Sequence, residues 1–205
     1  MIVLVIGVLV VLGGGGAAAY FYTQAHRDRG RVPTGNQVPQ MCAGVSKQTL
    51  ARLRTTNPGV MLYTEILNKA NCSWEQTIGV DGEGNRGLSM EVVKFTKAEN
   101  GKSPEQQAKE AFAAVEPDLK RTANVLREGP PVLTPQQGLG DEALLADTTG
   151  GSGITGMVLA VRKGGAVLTV SYTGYDIGIF SPVDADLAEF EAAVRAVVSD
   201  MLPTL

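Results

Sequence analysis

The sequence is short of the side chains that most chemistry needs. In 205 residues it holds one histidine, His26, two cysteines, Cys42 and Cys72, and one tryptophan, Trp74. That lone histidine sits in a polar stretch beside a long apolar run, away from any serine of the later chain. Ser-His-acid catalysis is therefore excluded. Two cysteines and one distant histidine cannot supply four ligands to a structural zinc, and without a C-x-x-C pair there is no dithiol redox motif. No metal and no cofactor is expected. Charge is balanced as well: 18 basic against 21 acidic residues leave a formal net charge of −3, with no electrostatic footprint for nucleic acid.

Charge is missing altogether from residues 2–22, "IVLVIGVLVVLGGGGAAAYFY". As a helix this run spans about 31 Å, the thickness of a bilayer's hydrocarbon, and it predicts a transmembrane anchor over residues 1–25. Tyr20, Phe21 and Tyr22 suit the membrane interface, with Arg27, Arg29 and Arg31 following in water. A cleaved signal peptide is the competing reading, since "AAA" at 17–19 and "TQA" at 23–25 fit small-residue cleavage sites. The length of the run favours retention. Its arginine flank argues for a cytoplasmic domain, whereas a disulfide would argue for an exported one. A basic segment upstream of Met1 would reconcile the two.

Residues 26–40, "HRDRGRVPTGNQVPQ", lack apolar periodicity and predict a flexible linker reaching about 20 Å. The folded domain is expected over 41–205. Ser46 caps a short helix, "KQTLARL", whose apolar side is Val45, Leu50 and Leu53. Asn57-Pro58-Gly59 predicts a turn. Cys72, Trp74, Gln76, Ile78 and Val80 alternate with polar residues, and with "LSMEVVKFT" (88–96) they predict a β-hairpin. Ser103-Pro104-Glu105-Gln106 opens a helix that reaches about Glu116 and restarts after Pro117. "GPPVLTPQQGLG" predicts a loop. Strands follow at 142–147 and on both sides of a turn at Lys163-Gly164-Gly165. Ser181-Pro182 opens a last helix with Val183, Leu187, Phe190, Val194, Val197 and Met201 on one stripe. The order predicts an α+β fold: an antiparallel sheet of about five strands flanked by helices, behind the N-terminal transmembrane helix.

Cys42 and Cys72 start the first helix and the first core strand. A bridge between them would contribute about 3–4 kcal/mol on the chain-entropy model. Two buried thiols in a cytosolic protein are the alternative. Trp74 shares the strand face of Cys72, where its ring can pack beside the sulfurs.

The polar linker, the cysteine opening a short helix, "CSW" opening a strand, "GLGDEA" (138–143), the hairpin and the last helix together resemble a group of actinobacterial envelope proteins. Those proteins are single-anchored or lipidated and carry a paired-cysteine domain. They are similar in turn to extracellular sensor domains of mycobacterial receptor kinases and to the sandwich of the photosystem oxygen-evolving P subunit. The resemblance covers about 42–205. It implies export, a Cys42–Cys72 bridge and an antiparallel sheet flanked by helices, and it carries no catalytic residue. No acylatable cysteine follows the apolar run, which sets this chain apart from the lipidated members.

Several motifs are expected to be structural. Gly151-Ser152-Gly153-Ile154-Thr155-Gly156 matches G-x-G-x-x-G, with Asp176 twenty residues on, but it opens a strand instead of a helix. Asp81, Glu83 and Asn85 mimic a calcium loop whose glycine position is Arg86. Asp141-Glu142 and Asp184-Asp186 suit a solvated edge and a helix first turn, and Lys94, Lys97 and Lys102 a solvated face.

The sequence thus predicts a non-enzymatic domain tethered to the cell membrane as a single-pass protein through residues 2–22. It would bind an envelope component or partner protein on the outer face, without nucleic acid. The loops 129–138 and 149–156 are the expected binding segments. The alternatives are a cytosol-facing accessory subunit and an envelope hydrolase with two facing carboxylates.

Overall fold

In a computed structural model of the chain, the described residues are 16–64, 68–126, 132–150 and 153–205. Alternation of side chains builds the centre of the molecule. Strand β2 (Lys69–Glu75) buries Ala70, Cys72 and Trp74, and β3 (Asn85–Lys94) buries Leu88, Met90 and Val92. Period-two burial of this kind puts every apolar residue on one face. The two strands pair antiparallel with Cys72 opposite Met90 and Trp74 opposite Leu88. The next pairing, β3 with β7 (Ala166–Ile177), sets Leu88, Met90 and Val92 against Tyr172, Val170 and Leu168. Strand β6 (Thr155–Lys163) returns from β7 across the expected Lys163–Gly165 turn. Gly164 there has φ 55°, a left-handed conformation that suits glycine.

The sheet is larger than the sequence predicted. Eight strands, not about five, pair antiparallel in the order β1-β2-β3-β7-β6-β5-β4, with β8 (Pro182–Val183) on the end of β7. Strand β5 (Glu142–Asp147) was expected, whereas both edge strands were not. Asn57-Pro58-Gly59 was expected to turn and instead begins β1 (Asn57–Thr64), with a register irregularity between Pro58 and Met61. The stretch expected as a proline loop contains β4 (Val132–Gln136), which includes Pro135. An edge strand bonds on one side only, so a missing N–H is tolerated there.

Helix α1 (Lys47–Arg52) is capped by Ser46, whose Oγ accepts the Thr49 amide at 3.0 Å. Helix α2 (Pro104–Leu126) continues through Pro117 and lies on one face of β6 and β7. Helix α3 (Leu187–Met201) covers the other face, burying Phe190, Ala193, Val194, Val197, Val198 and Met201. Each large side chain of that stripe contributes about 1.5–3 kcal/mol. β6 is buried over seven consecutive residues because it lies between the two helices. Helix α3 starts later than Ser181-Pro182. Pro182 and Val183 pair with the end of β7 as β8, and Asp186 caps the helix by accepting the Ala188 amide at 3.0 Å.

The expected transmembrane helix is not borne out. Among the described residues no helix is long and apolar enough to cross a membrane. The first fourteen positions of the 2–22 run lie outside the described residues, and 16–25 form a short helix.

Candidate functional site

Cys42 ends a 3-10 turn, Gln40–Cys42, and forms a disulfide with Cys72 of β2, the Cα atoms 6.0 Å apart. Both cysteines are buried in the main core cluster. The bridge pins the chain entering the domain to the inner face of the sheet. Trp74, 1% exposed, follows two residues along that face.

Beside the bridge opens a groove of 540 Å³. It is lined by Cys42 of the disulfide, Trp74 of β2 and Pro58 of β1, by Val45 and Leu50, before and within α1, and by Val38. The lining is apolar save for Ser46, Thr56 and Lys47. Among the described residues the Lys47 ammonium has no ion-pair partner. Below the lip, the Asp200 carboxylate accepts the Ser46 amide at 2.9 Å. Burial works against its charge, but bonds from Thr49 and Ser46 prevail and hold its pKa below the usual value. A cleft of this size, with mostly apolar walls and one free cation, fits a small molecule.

Val38 belongs to the stretch expected as a free coil, yet that stretch is bonded along the sheet edge. Asp28 accepts the Gly30 amide at 2.7 Å and the Gly79 amide at 2.6 Å, bonds that lower its pKa. The Arg31 amide donates to the Gln76 carbonyl at 2.9 Å and its carbonyl accepts the Ile78 amide at 3.0 Å, one rung of parallel pairing. A Cβ on Gly30 would run into the Thr77–Ile78 backbone, so this approach requires glycine. The Thr34 amide donates to Asn57 Oδ1 at 3.1 Å and its hydroxyl donates to the Pro58 carbonyl. Asn36 donates to Gly59. His26 Nδ1 lies 2.9 Å from Glu83, its ring 4.2 Å from that of Tyr22.

The other candidates are placed in structural roles. Asp141 and Glu142 both bind Arg162 at 2.9 Å. Asp186 caps α3. Asp81 is buried and accepts from the Thr77 amide at 2.6 Å and from Thr56, so it closes a turn. Thr155–Gly156 of the glycine motif open β6, as expected; 151–152 lie outside the described residues. Asp176 pairs at 2.6 Å with the fully buried Arg86. Burial works against that guanidinium's charge, but Asp176 and Glu189 hold its pKa above the usual value. Lys94 donates to Thr204 and Lys102 pairs with Glu110 at 2.6 Å. Of the loops expected to bind, 129–131 and 151–152 lie outside the described residues.

Sequence reasoning missed the groove and the docked stretch. One local signal was present: Asp28-Arg29-Gly30 is an Asx-turn pattern, and its second carboxylate oxygen is the one that reaches Gly79.

Neither a protein-family model nor a curated protein matches the chain. Among solved structures, the extracellular domain of PknH from Mycobacterium tuberculosis is similar at 12% identity, over 82% of this chain and 80% of that one, with a TM-score of 0.35.

Proposed function

We propose that the chain is a non-enzymatic, extracytoplasmic binding domain whose groove takes an apolar small molecule carrying one anionic group. The groove itself carries this reading: apolar walls for the body of the ligand and the unpaired Lys47 for its charge. The Cys42–Cys72 bridge supports an oxidising compartment, because thiols in the cytosol are kept reduced. The uncharged residues 2–22 support a place at the membrane, with an amphiphile of the cell envelope as the class of ligand. Of the candidate acids, Asp141 and Glu142 are held by Arg162 and Asp186 by the α3 cap.

The test uses octanoate and its neutral methyl ester with the full chain in lipid nanodiscs. Trp74, the sole tryptophan, reports directly from the groove wall. Octanoate is expected to bind saturably at one site and change the Trp74 emission. Lys47→Gln should weaken octanoate and leave the ester unchanged, and Leu50→Glu should weaken both. No saturable change beyond that of empty nanodiscs would overturn the reading.

A further inference from the structure

We infer that residues 28–41 form a strap whose docking against β1 and the 76–79 turn is coupled to occupancy of the groove. Ligand binding would then tighten the hold of the domain on its N-terminal segment. The inference rests on the binding reading above and adds its regulation.

The two ends of the strap are fixed differently. At Cys42 it is tied covalently to β2. At its other end it is held by hydrogen bonds at Asp28, Arg31, Val32, Thr34 and Asn36 and by the Arg31–Glu75 ion pair. Of these residues, all but the partly buried Asp28 are exposed, and they belong to no regular element. Such a segment opens locally at far lower cost than the sheet beneath it. Between the two ends lies Val38, which lines the groove. Val38 and Pro58 both line the groove, and Thr34, four residues before Val38, is bonded to the Pro58 carbonyl, so releasing the Thr34 and Asn36 bonds loosens the segment that carries Val38. A ligand that touches Val38 therefore binds the docked strap better than the released one. Population shift follows, and the coupling is reciprocal: docking raises affinity by the same factor by which ligand raises docking.

The strap also covers the first residues of the β1 edge. Gln76, Ile78 and Gly79 lie outside the groove lining, so their bonds to the strap can be broken without touching the ligand. Docking and binding can thus be perturbed separately.

Amide hydrogen exchange on the full chain in nanodiscs, with octanoate as the probe, tests the coupling. Saturating octanoate should slow exchange at Ile78 and Gly79, which donate to the strap, and leave Leu88 and Val170 in the sheet centre unchanged. Gly30→Val and Asp28→Asn should each release the strap, speed exchange at Ile78, and weaken octanoate by about five- to tenfold. Asp28→Asn introduces no steric clash and serves if Gly30→Val misfolds. Octanoate bound equally well by both variants, with Ile78 exchange indifferent to ligand, would overturn the coupling and leave the binding reading standing. An unaltered Trp74 emission in the wild-type chain would remove both.

Discussion

Tyr172, at the centre of β7, donates its hydroxyl to the main-chain carbonyl of Leu53 at 2.7 Å, and so ties the end of α1 to the sheet. Both residues are buried. Burial raises the phenol pKa above its ordinary value, against the nearby Arg86 guanidinium, so the donor is retained in alkaline solution. Tyr172→Phe keeps the ring against Phe190, centroids 4.6 Å apart, but leaves the Leu53 carbonyl without its donor. The expected loss is about 1–3 kcal/mol in urea unfolding, with m unchanged. A variant as stable as wild type would mean that water reaches Leu53.

The disulfide closes a loop of 30 residues that contains α1 and β1. On the chain-entropy model its loss costs about 3–4 kcal/mol. Replacing both cysteines by alanine should lower the unfolding free energy by that amount. It should also broaden the Trp74 emission, because the groove loses part of its lining. The same loss in the double mutant and in wild type under reductant would locate the effect in the bond, independently of the side chains.

Arg86 is the one guanidinium with no exposed side-chain surface among the described ion pairs, and its charge is met at the end of the sheet. It donates to the Tyr175 carbonyl at 2.6 Å and to Asp176 at 2.6 Å, and lies 5.1 Å from the Phe190 ring centroid. Arg86→Ala removes these bonds together and opens space under Phe190. With Asp176 42% exposed and free to return to water, the loss comes chiefly from the Tyr175 carbonyl left without its donor and is expected to be about 1–3 kcal/mol. Arg86→Lys should recover only part of it, since a point ammonium cannot serve Tyr175 and Asp176 at once. Thermal unfolding of the two variants decides this.

The parts of the fold that were legible in the sequence are those where one physical pattern acts alone. Alternation reported β3 and β2 as far as Glu75, though its last apolar positions, Ile78 and Val80, lie exposed beyond the strand; Lys163-Gly164-Gly165 reported the turn between β6 and β7, and the stripe from Phe190 to Met201 reported α3. Where two signals competed, the local one misled. Pro58 and Pro135 read as turn residues, but each sits on an edge strand, where the missing N–H costs no ladder bond. Ser181-Pro182 read as a helix start, but the pairing of Pro182–Val183 with Asp176–Ile177 delays the helix to the Asp186 cap. The strap was illegible because its partners lie far along the chain: Asp28 finds Gly79 across 51 positions and Asn36 finds Gly59 across 23. A composition of proline, glycine and polar residues records no such bonds. The groove fared likewise, since Val38, Leu50, Pro58 and Trp74 come from four segments without a shared period.

Acid should undock the strap before it unfolds the sheet. Asp28 has its pKa lowered, chiefly by the Gly79 amide and then by the Gly30 amide, with desolvation a small opposing effect. A carboxylate whose pKa is lower in the docked state than in the released one stabilises docking above the released-state value. That contribution is lost as pH falls through the docked-state value. Amide exchange at Gly79 and Ile78, corrected for intrinsic rate, should therefore accelerate below the ordinary aspartate range while Leu88 and Val170 stay protected. In Asp28→Asn the exchange should already be fast at neutral pH and show no such acid step. A wild-type step that persists in Asp28→Asn would mean that acid releases the strap without Asp28.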